Sequence, residues 1–549
     1  MKILLGYCVE KEHYHDYYVT LLPVGLVSIA SYLSNSGYDV VLANFSKKST
    51  EQIIKEITHI KPQLIGFSLF THNRSITLHI VNKIKLLFPN SVIVLGGPHA
   101  TFLDKEILQR YPSVDCIVEG EGEAAMLAII KNIEQGKPPR HAIINMHSVN
   151  DVNNIPYPSR FNGTLYNVNV NEQYKYIITS RGCYNNCTFC DSPAFWGKKV
   201  RFREVDDVVE ELETIYRKYG IIYFSMRDDN FTVRKDRVQE LSHKMIRKKL
   251  YMMWNCQARV DAIDESMLIG MKKAGLEHIQ YGVESGSEKI LASYNKKTTI
   301  DTIIHAASIT RKVGIYLSIY LMVGMKGEDY NDIKKTKKLL AVILPGDCIV
   351  SPVALYPGTK LYEDEKKNGA LSDSIWFNNN DAGIFLRNEP VMKEWMNELL
   401  MATYTLRDKA WYKAKDFAMH KKIVGDCWVT DIMEGDYYFD NELYPEAAAI
   451  YGKVIKNIPD NPWGYMRYGK LHFTMGDYET AMESFNDVTK IVPNYYGGWL
   501  KFAQSCIALG LNKKAKEAIN KALQLNPYEE RINALNSLLN SLLKNNRRK

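Results

Sequence analysis

The chain has 549 residues, 46% of them apolar and 24% charged, with a formal net charge of +8. It is too long for one hydrophobic core and too apolar to be largely disordered, so about three domains are expected. The charge, spread over this length, is no nucleic-acid footprint, and the basic end 545–549 reads as a solvated tail. No run of about 18 apolar residues appears in the sequence, so no membrane span is expected. The first seven residues turn polar too soon for a signal peptide, which points to the cytoplasm.

Residues 1–140 alternate apolar strand runs (2–7, 39–42, 64–68, 92–95, 116–118) with helical periodicities (24–35, 51–60, 76–87, 102–110). Such runs suit strands buried on both faces, so the expected fold is a doubly wound α/β domain. Its ligands would sit beyond the carboxyl ends of the strands, where the loops 68–71, 96–101 and 119–123 lie. The polar, Asn- and Pro-rich stretch 141–172 reads as a linker. Residues 173–370 hold six further strand–helix units, expected to form a full or partial parallel barrel with its chemistry at the strand ends. Residues 371–430 read as a helical connection with no motif. Over 431–549 a 34-residue period aligns Pro459, Pro493 and Pro527, Ala447, Ala481 and Ala515, and Tyr451, Phe485 and Ile519. This resembles the tetratricopeptide repeat, two antiparallel helices per copy, with 529–543 as a cap helix.

Six of the nine cysteines (Cys8, Cys116, Cys256, Cys348, Cys427, Cys506) stand alone and read as small buried hydrophobes rather than a disulfide framework. The other three form Arg181-Gly182-Cys183-Tyr184-Asn185-Asn186-Cys187-Thr188-Phe189-Cys190, a C-x3-C-x2-C loop directly after a strand. Three thiolates suit a thiophilic metal centre, and no fourth soft ligand stands at a familiar spacing. An iron-sulfur cluster with one open iron is the economical reading.

This loop closely resembles the radical S-adenosylmethionine superfamily. The resemblance implies a 4Fe-4S cluster on Cys183, Cys187 and Cys190, with S-adenosylmethionine on the open iron and Phe189 against its adenine. The segments 254–261, 282–287, 322–328 and 356–359 resemble the family's later strand ends, except that Lys326 stands where the family usually has Pro. By the same resemblance Arg259, Glu284 and Ser285 contact S-adenosylmethionine, through a carboxylate clamp and through hydrogen bonds to ribose or amino groups. Asp228, in the segment 227–232, either joins them or acts on substrate. Reduction of the cluster would need an electron donor such as flavodoxin or ferredoxin.

A doubly wound domain ahead of such a barrel resembles the cobalamin-binding members of the family. The resemblance rests on 23–26, Ser68, 96–101 and 119–123, and implies cobalamin contacts from Ser68, Thr71, Gly96, Gly97, Pro98, His99, Glu119 and Gly120. The D-x-H-x-x-G cobalt-ligating motif is absent, and His13 and His15 do not match it. Most chemistry in that group is methylation of unactivated carbon or phosphorus, here on a small molecule. A second reading is radical cyclisation or oxidation, as in relatives of the anaerobic magnesium-protoporphyrin cyclase. A third is a cofactor-binding sensor or scaffold whose repeats dock a protein partner or a second copy, with no nucleic acid and no membrane.

Overall fold

A computed structural model describes residues 1–10, 16–146, 149, 151–378 and 381–546; His13 and His15 lie outside the described residues. The N-terminal sheet contains β1 (Lys2–Tyr7), β2 (Asp39–Asn44), β3 (Leu64–Ser68), β4 (Val92–Gly96), β5 (Cys116–Glu119), β6 (Ala142–Asn145) and β7 (Thr164–Tyr166). They run parallel in the order β6-β5-β4-β3-β1-β2-β7. Every residue of β3 is buried, because helices cover both faces, which is why the central strands read as unbroken apolar runs. The chain leaves β1 for β2 on one side and reaches β3 on the other. The crevice of a doubly wound sheet opens at that switch point.

Two differences from the sequence reading stand out. The expected linker supplies both edge strands: β6 pairs with β5 and β7 with β2. Short edge strands carry no apolar run, so Asn and Pro dominated the pattern. The expected helix 102–110 is two helices, Pro98–Phe102 and Asp104–Arg110, meeting at Leu103.

The second sheet begins at β8 (Tyr176–Ile177), followed by the antiparallel ribbon β9 (Ser180–Arg181) and β10 (Arg201–Phe202). It continues through β11 (Tyr223–Met226), β12 (Met253–Ala258), β13 (Leu276–Glu284), β14 (Tyr316–Val323) and β15 (Asp347–Pro352), all parallel in the order β15-β14-β13-β12-β11-β8. No ladder joins β8 to β15 among the described residues, so the barrel is partial, with one side open. Helices cover the outer face, and three of them start at side-chain caps. Asp264 accepts from Met267 N, Thr299 from Thr302 N and Asp329 from Asn331 N. The connecting region is partly extended: β16 (Ala354–Leu355) pairs with β17 (Ile384–Phe385) before the helix Val391–Ala410.

The C-terminal helices keep the expected phase. First helices start at Trp428, Pro462, Tyr496 and Glu530, and second helices at Tyr444, Tyr478 and Asn512, one every 34 residues. Gly435 and Gly469 let paired helices touch. A Cβ at either would lie 2.3 Å from the Tyr451 ring or 2.8 Å from that of Phe485. The array packs on the barrel's outer helices. Trp463 Nε1 donates to Tyr251 O (3.1 Å), Asn494 Nδ2 to Arg217 O (2.8 Å), and buried Lys272 Nζ to Gly314 O (2.6 Å) beside Met433 Sδ.

Candidate active site

The three-cysteine loop is pinned at both ends. Gly182 has φ +98°, and a Cβ there would lie 2.6 Å from Lys199 O, so only glycine lets the chain turn beside the β9–β10 ribbon. Thr188 N donates to Tyr294 O (3.0 Å) and Asn295 Nδ2 to Asn186 O (2.7 Å), fastening the loop to the end of the helix Glu288–Ser293. Cys183, Cys187 and Cys190 are all half-buried, and Asn185 Nδ2 donates to Cys183 Sγ (3.6 Å). Burial pushes the Cys187 and Cys190 thiols up, the latter to about 12. At Cys187 the positive charges of Lys296 and Arg259 work against burial. Among the described residues no three His, Cys, Asp or Glu side chains converge as they would on a single ion. Three thiols spaced along one half-buried loop fit the separate corners of a cluster better than one tetrahedral ion.

The expected S-adenosylmethionine residues divide into two groups. Phe189, Arg259 and Glu284 gather at the loop. Phe189 packs edge-on against Tyr294 (5.4 Å), and Arg259 pairs with Asp261 (2.8 Å) while Nη1 reaches Cys187 Sγ (3.9 Å). Glu284 has φ +67° where the β13 register shifts. That uncommon backbone turns its carboxylate onto Lys296 Nζ (2.6 Å). Asp228 and Ser285 instead hold backbone. Buried Asp228 accepts from Thr179 N (2.9 Å), Thr179 Oγ1 and Ser180 Oγ; burial pushes its pKa up, while these bonds and Arg237 pull it down. Ser285 Oγ accepts from Ser287 N (3.2 Å) and faces Thr336, which supports the Gly286 turn. Lys296, unmarked in the sequence, is the missed member: it pairs with Glu284 and lies 5.9 Å from the Phe189 ring centre. Lys326, at the family's Pro position, pairs with Glu365, and Glu328 holds the loop by accepting from Gly324 N and Met325 N.

A cavity of about 360 Å³ separates the two sheets at the carboxyl ends of β1, β3, β4 and β5. Its walls include Gly25, Ser68, Gly96, Gly97, Pro98 and Gly120 on one side and Asp191, Ser192 and Asp229 on the other. At Gly25 a Cβ would meet nothing within 4 Å, so the backbone stands open toward the space. The glycines and apolar walls fit a flat, largely apolar ligand part, and a space of this size takes one arm of a corrinoid rather than the whole. Among the described residues no histidine lines the cavity. His99 is buried against Trp376 (5.7 Å) and bonded through Nδ1 to Thr71 Oγ1 (3.1 Å); burial drives it down to about 3. Glu119 turns to Asn145. Thr71, His99 and Glu119 therefore shape loops around the cavity without lining it. Between the sheets Arg181 pairs with Glu123 (2.6 Å) and Glu121 (3.4 Å), packs over Trp196, and meets Ser28. The sequence carried no signal for this bridge.

A parallel partial barrel with three cysteines on the loop after its first strand defines a class. Residues 177–340 match the Radical SAM superfamily model, so the barrel is a radical SAM domain. Residues 15–130 match the B12 binding domain model. Residues 440–524 match the helical-repeat model of anaphase-promoting complex, cyclosome, subunit 3. An uncharacterized methyltransferase of Pyrococcus horikoshii is 27% identical over 418 residues, covering 70% of this chain and 86% of the relative. The anaerobic magnesium-protoporphyrin IX monomethyl ester cyclase of Rubrivivax gelatinosus is 28% identical, covering 58% of this chain and 61% of that one. The fold resembles the radical S-adenosylmethionine methyltransferase TsrM of Kitasatospora setae, solved with cobalamin and a [4Fe-4S] cluster. Its TM-score is 0.56 at 16% identity, covering 67% of this chain and 78% of that one.

Proposed function

We propose that this chain is a cobalamin-dependent radical S-adenosylmethionine methyltransferase acting on an unactivated carbon of a small molecule. The observation that carries the reading is the shared cavity. Asp191 and Ser192, directly after Cys190, wall the same space as Gly96, Gly97 and Gly120. A cluster on the cysteine loop and a corrinoid on the N-terminal domain would thus face one another. When bound, the cluster with S-adenosylmethionine supplies a hydrogen-abstracting radical, and the corrinoid supplies the methyl group.

The chain's own residues hold and orient. Cys183, Cys187 and Cys190 supply thiolates. Phe189, Arg259, Glu284 and Lys296 form the S-adenosylmethionine pocket, the two cations offsetting thiolate and carboxylate charge. Ser68, Gly96, Gly97, Pro98 and Gly120 face the corrinoid, and burial between the sheets excludes water. Flavodoxin or ferredoxin fits the need for a reductant. With the repeats packed on the barrel, their remaining faces are left for a protein partner.

Anaerobic reconstitution with iron, sulfide and cobalamin tests the reading through ultraviolet-visible and electron-spin spectra. A 4Fe-4S signal lost in Cys187→Ala, with bound corrinoid retained, is expected; no cluster in the native chain refutes it. The similarity to the cyclase supports a second reading. A product heavier by one methyl favours methylation, while loss of hydrogen or gain of oxygen favours cyclisation or oxidation.

A further inference from the structure

A second cavity, of about 450 Å³, opens into the unclosed side of the barrel. Its wall combines the aromatic Tyr7, Tyr18, Phe70, Tyr176 and Tyr320 with aliphatic side chains. Tyr320 belongs to a polar layer across the lumen: it donates to Gln280 Oε1 (2.9 Å) and accepts from Gln257 Nε2 (3.1 Å). Pro23, Val24 and Phe70 line both this cavity and the one between the sheets, so the two adjoin.

Arg227, at the carboxyl end of β11, is the only formally charged side chain on the wall among the described residues. Its guanidinium lies 5.4 Å from both the Tyr18 and Tyr176 ring centres, beside that edge-on pair of rings. Its backbone N is tied to Ile177 O (2.7 Å). Among the described residues the guanidinium meets no carboxylate and no carbonyl. Its neighbours differ: Arg181 binds Glu123, Arg201 binds Glu121, Arg203 binds Glu211, Arg237 binds Thr179 O, and Arg259 binds Asp261. Glu172, on the adjoining segment, is already held by Lys175 and Tyr17. A half-buried cation set against two aromatic rings, with no anion among the described residues, is a receptor for one, because a guanidinium fork matches a carboxylate or phosphate bidentately.

We propose that this cavity is the substrate site and that its substrate carries an anionic group, carboxylate or phosphate, paired with Arg227, on an apolar or aromatic body lying against the tyrosines. This rests on the reading of the chain as a radical enzyme and specifies its substrate class. The test is calorimetric titration of the full, reconstituted chain with 2-naphthoate, 2-naphthamide and naphthyl phosphate. At least one anion should bind ~10-fold or more tighter than the neutral amide, as expected for a charge-assisted bond. Arg227→Gln should erase the preference and Arg227→Lys should keep part of it. Three results would each overturn the proposal: no binding of either anion at millimolar concentration, equal binding of acid and amide, or a preference surviving in Arg227→Gln. Anion binding to the chain reconstituted with iron and sulfide alone that is lost once cobalamin is loaded would also overturn it, by assigning Arg227 to the corrinoid's phosphate. The amide comparison uses native protein, so it stands even if a variant misfolds. Cluster absorbance in the same samples reports separately on the radical chemistry.

Discussion

Arg181 is where the barrel that carries the three-cysteine loop grips the N-terminal domain, and its replacement by Met removes the charge while keeping most of the stem. Glu123 would be left 2% exposed with Ser28 Oγ (2.7 Å) as its remaining side-chain donor. Two unit charges about 4 Å apart at an effective dielectric near 20 attract by about 4 kcal/mol. Breaking a buried pair costs about 3–5 kcal/mol. The Arg181 side chain keeps 12% of its surface in water, so Arg181→Met should cost about 3 kcal/mol. In Arg181→Met/Glu123→Gln the stranded carboxylate is gone, and the double variant should be less damaged than the sum of the singles by about 2 kcal/mol. The pH dependence has a fixed sign. Burial alone would raise Glu123, but Arg181 outweighs it and leaves the carboxyl below its ordinary 4.5. The pair's contribution is therefore full above that value and lost as pH falls through the folded pKa. Urea titrations at pH 7 and below pH 4, followed by tryptophan fluorescence, measure both effects. A single-variant cost under about 1 kcal/mol, or strict additivity, would refute the account of a buried, coupled bridge.

Three further outcomes follow from the geometry. Burial pulls Lys272 down to about 8, so the lysine weakens the fold at neutral pH and the penalty fades as pH rises from 8 toward 10.5. Lys272→Met should gain about 2 kcal/mol at pH 7, with a gap to wild type that closes in alkali; a gap constant with pH would contradict this. Gly97 has φ +96°, and a Cβ there would lie 2.9 Å from Leu69 O. Gly97→Ala should cost about 2 kcal/mol in thermal unfolding and weaken cobalamin binding while sparing the cluster spectrum. Gly220 has φ +64°, with a Cβ position 2.1 Å from Asn494 O. Gly220→Ala should push the repeats off the barrel, read as faster amide exchange in Pro462–Thr474 and Tyr496–Ala508 against unchanged exchange in β12 and β13.

Elements with a strong period were legible from the residues. Central strands buried on both faces wrote themselves as apolar runs, and the repeats wrote a 34-residue phase that the helix starts keep. The cysteine loop was legible because thiol spacing along a chain survives into three dimensions. Contacts assembled from distant segments were not. Lys296 reaches Glu284 only because β13 shifts register there, and Arg181 meets Glu123 across a domain boundary. Asp228 and Ser285 have the right chemistry on the right loops, yet their hydrogen bonds fasten backbone, and no residue pattern distinguishes a carboxylate facing inward from one facing a ligand. The edge strands β6 and β7 were hidden because they are short and lie in a polar stretch.

The unpaired edges of β8 and β15 bear on the size of what the enzyme can handle. Ile349 of β15 lines the second cavity and is still 47% exposed, so that wall ends in solvent rather than in another strand. A closed lumen would limit the reactant to what fits inside. A missing wall admits a reacting carbon and an anchoring group while the bulk of the molecule stays outside, so the cavity volume bounds the part that reacts and sets no ceiling on the whole.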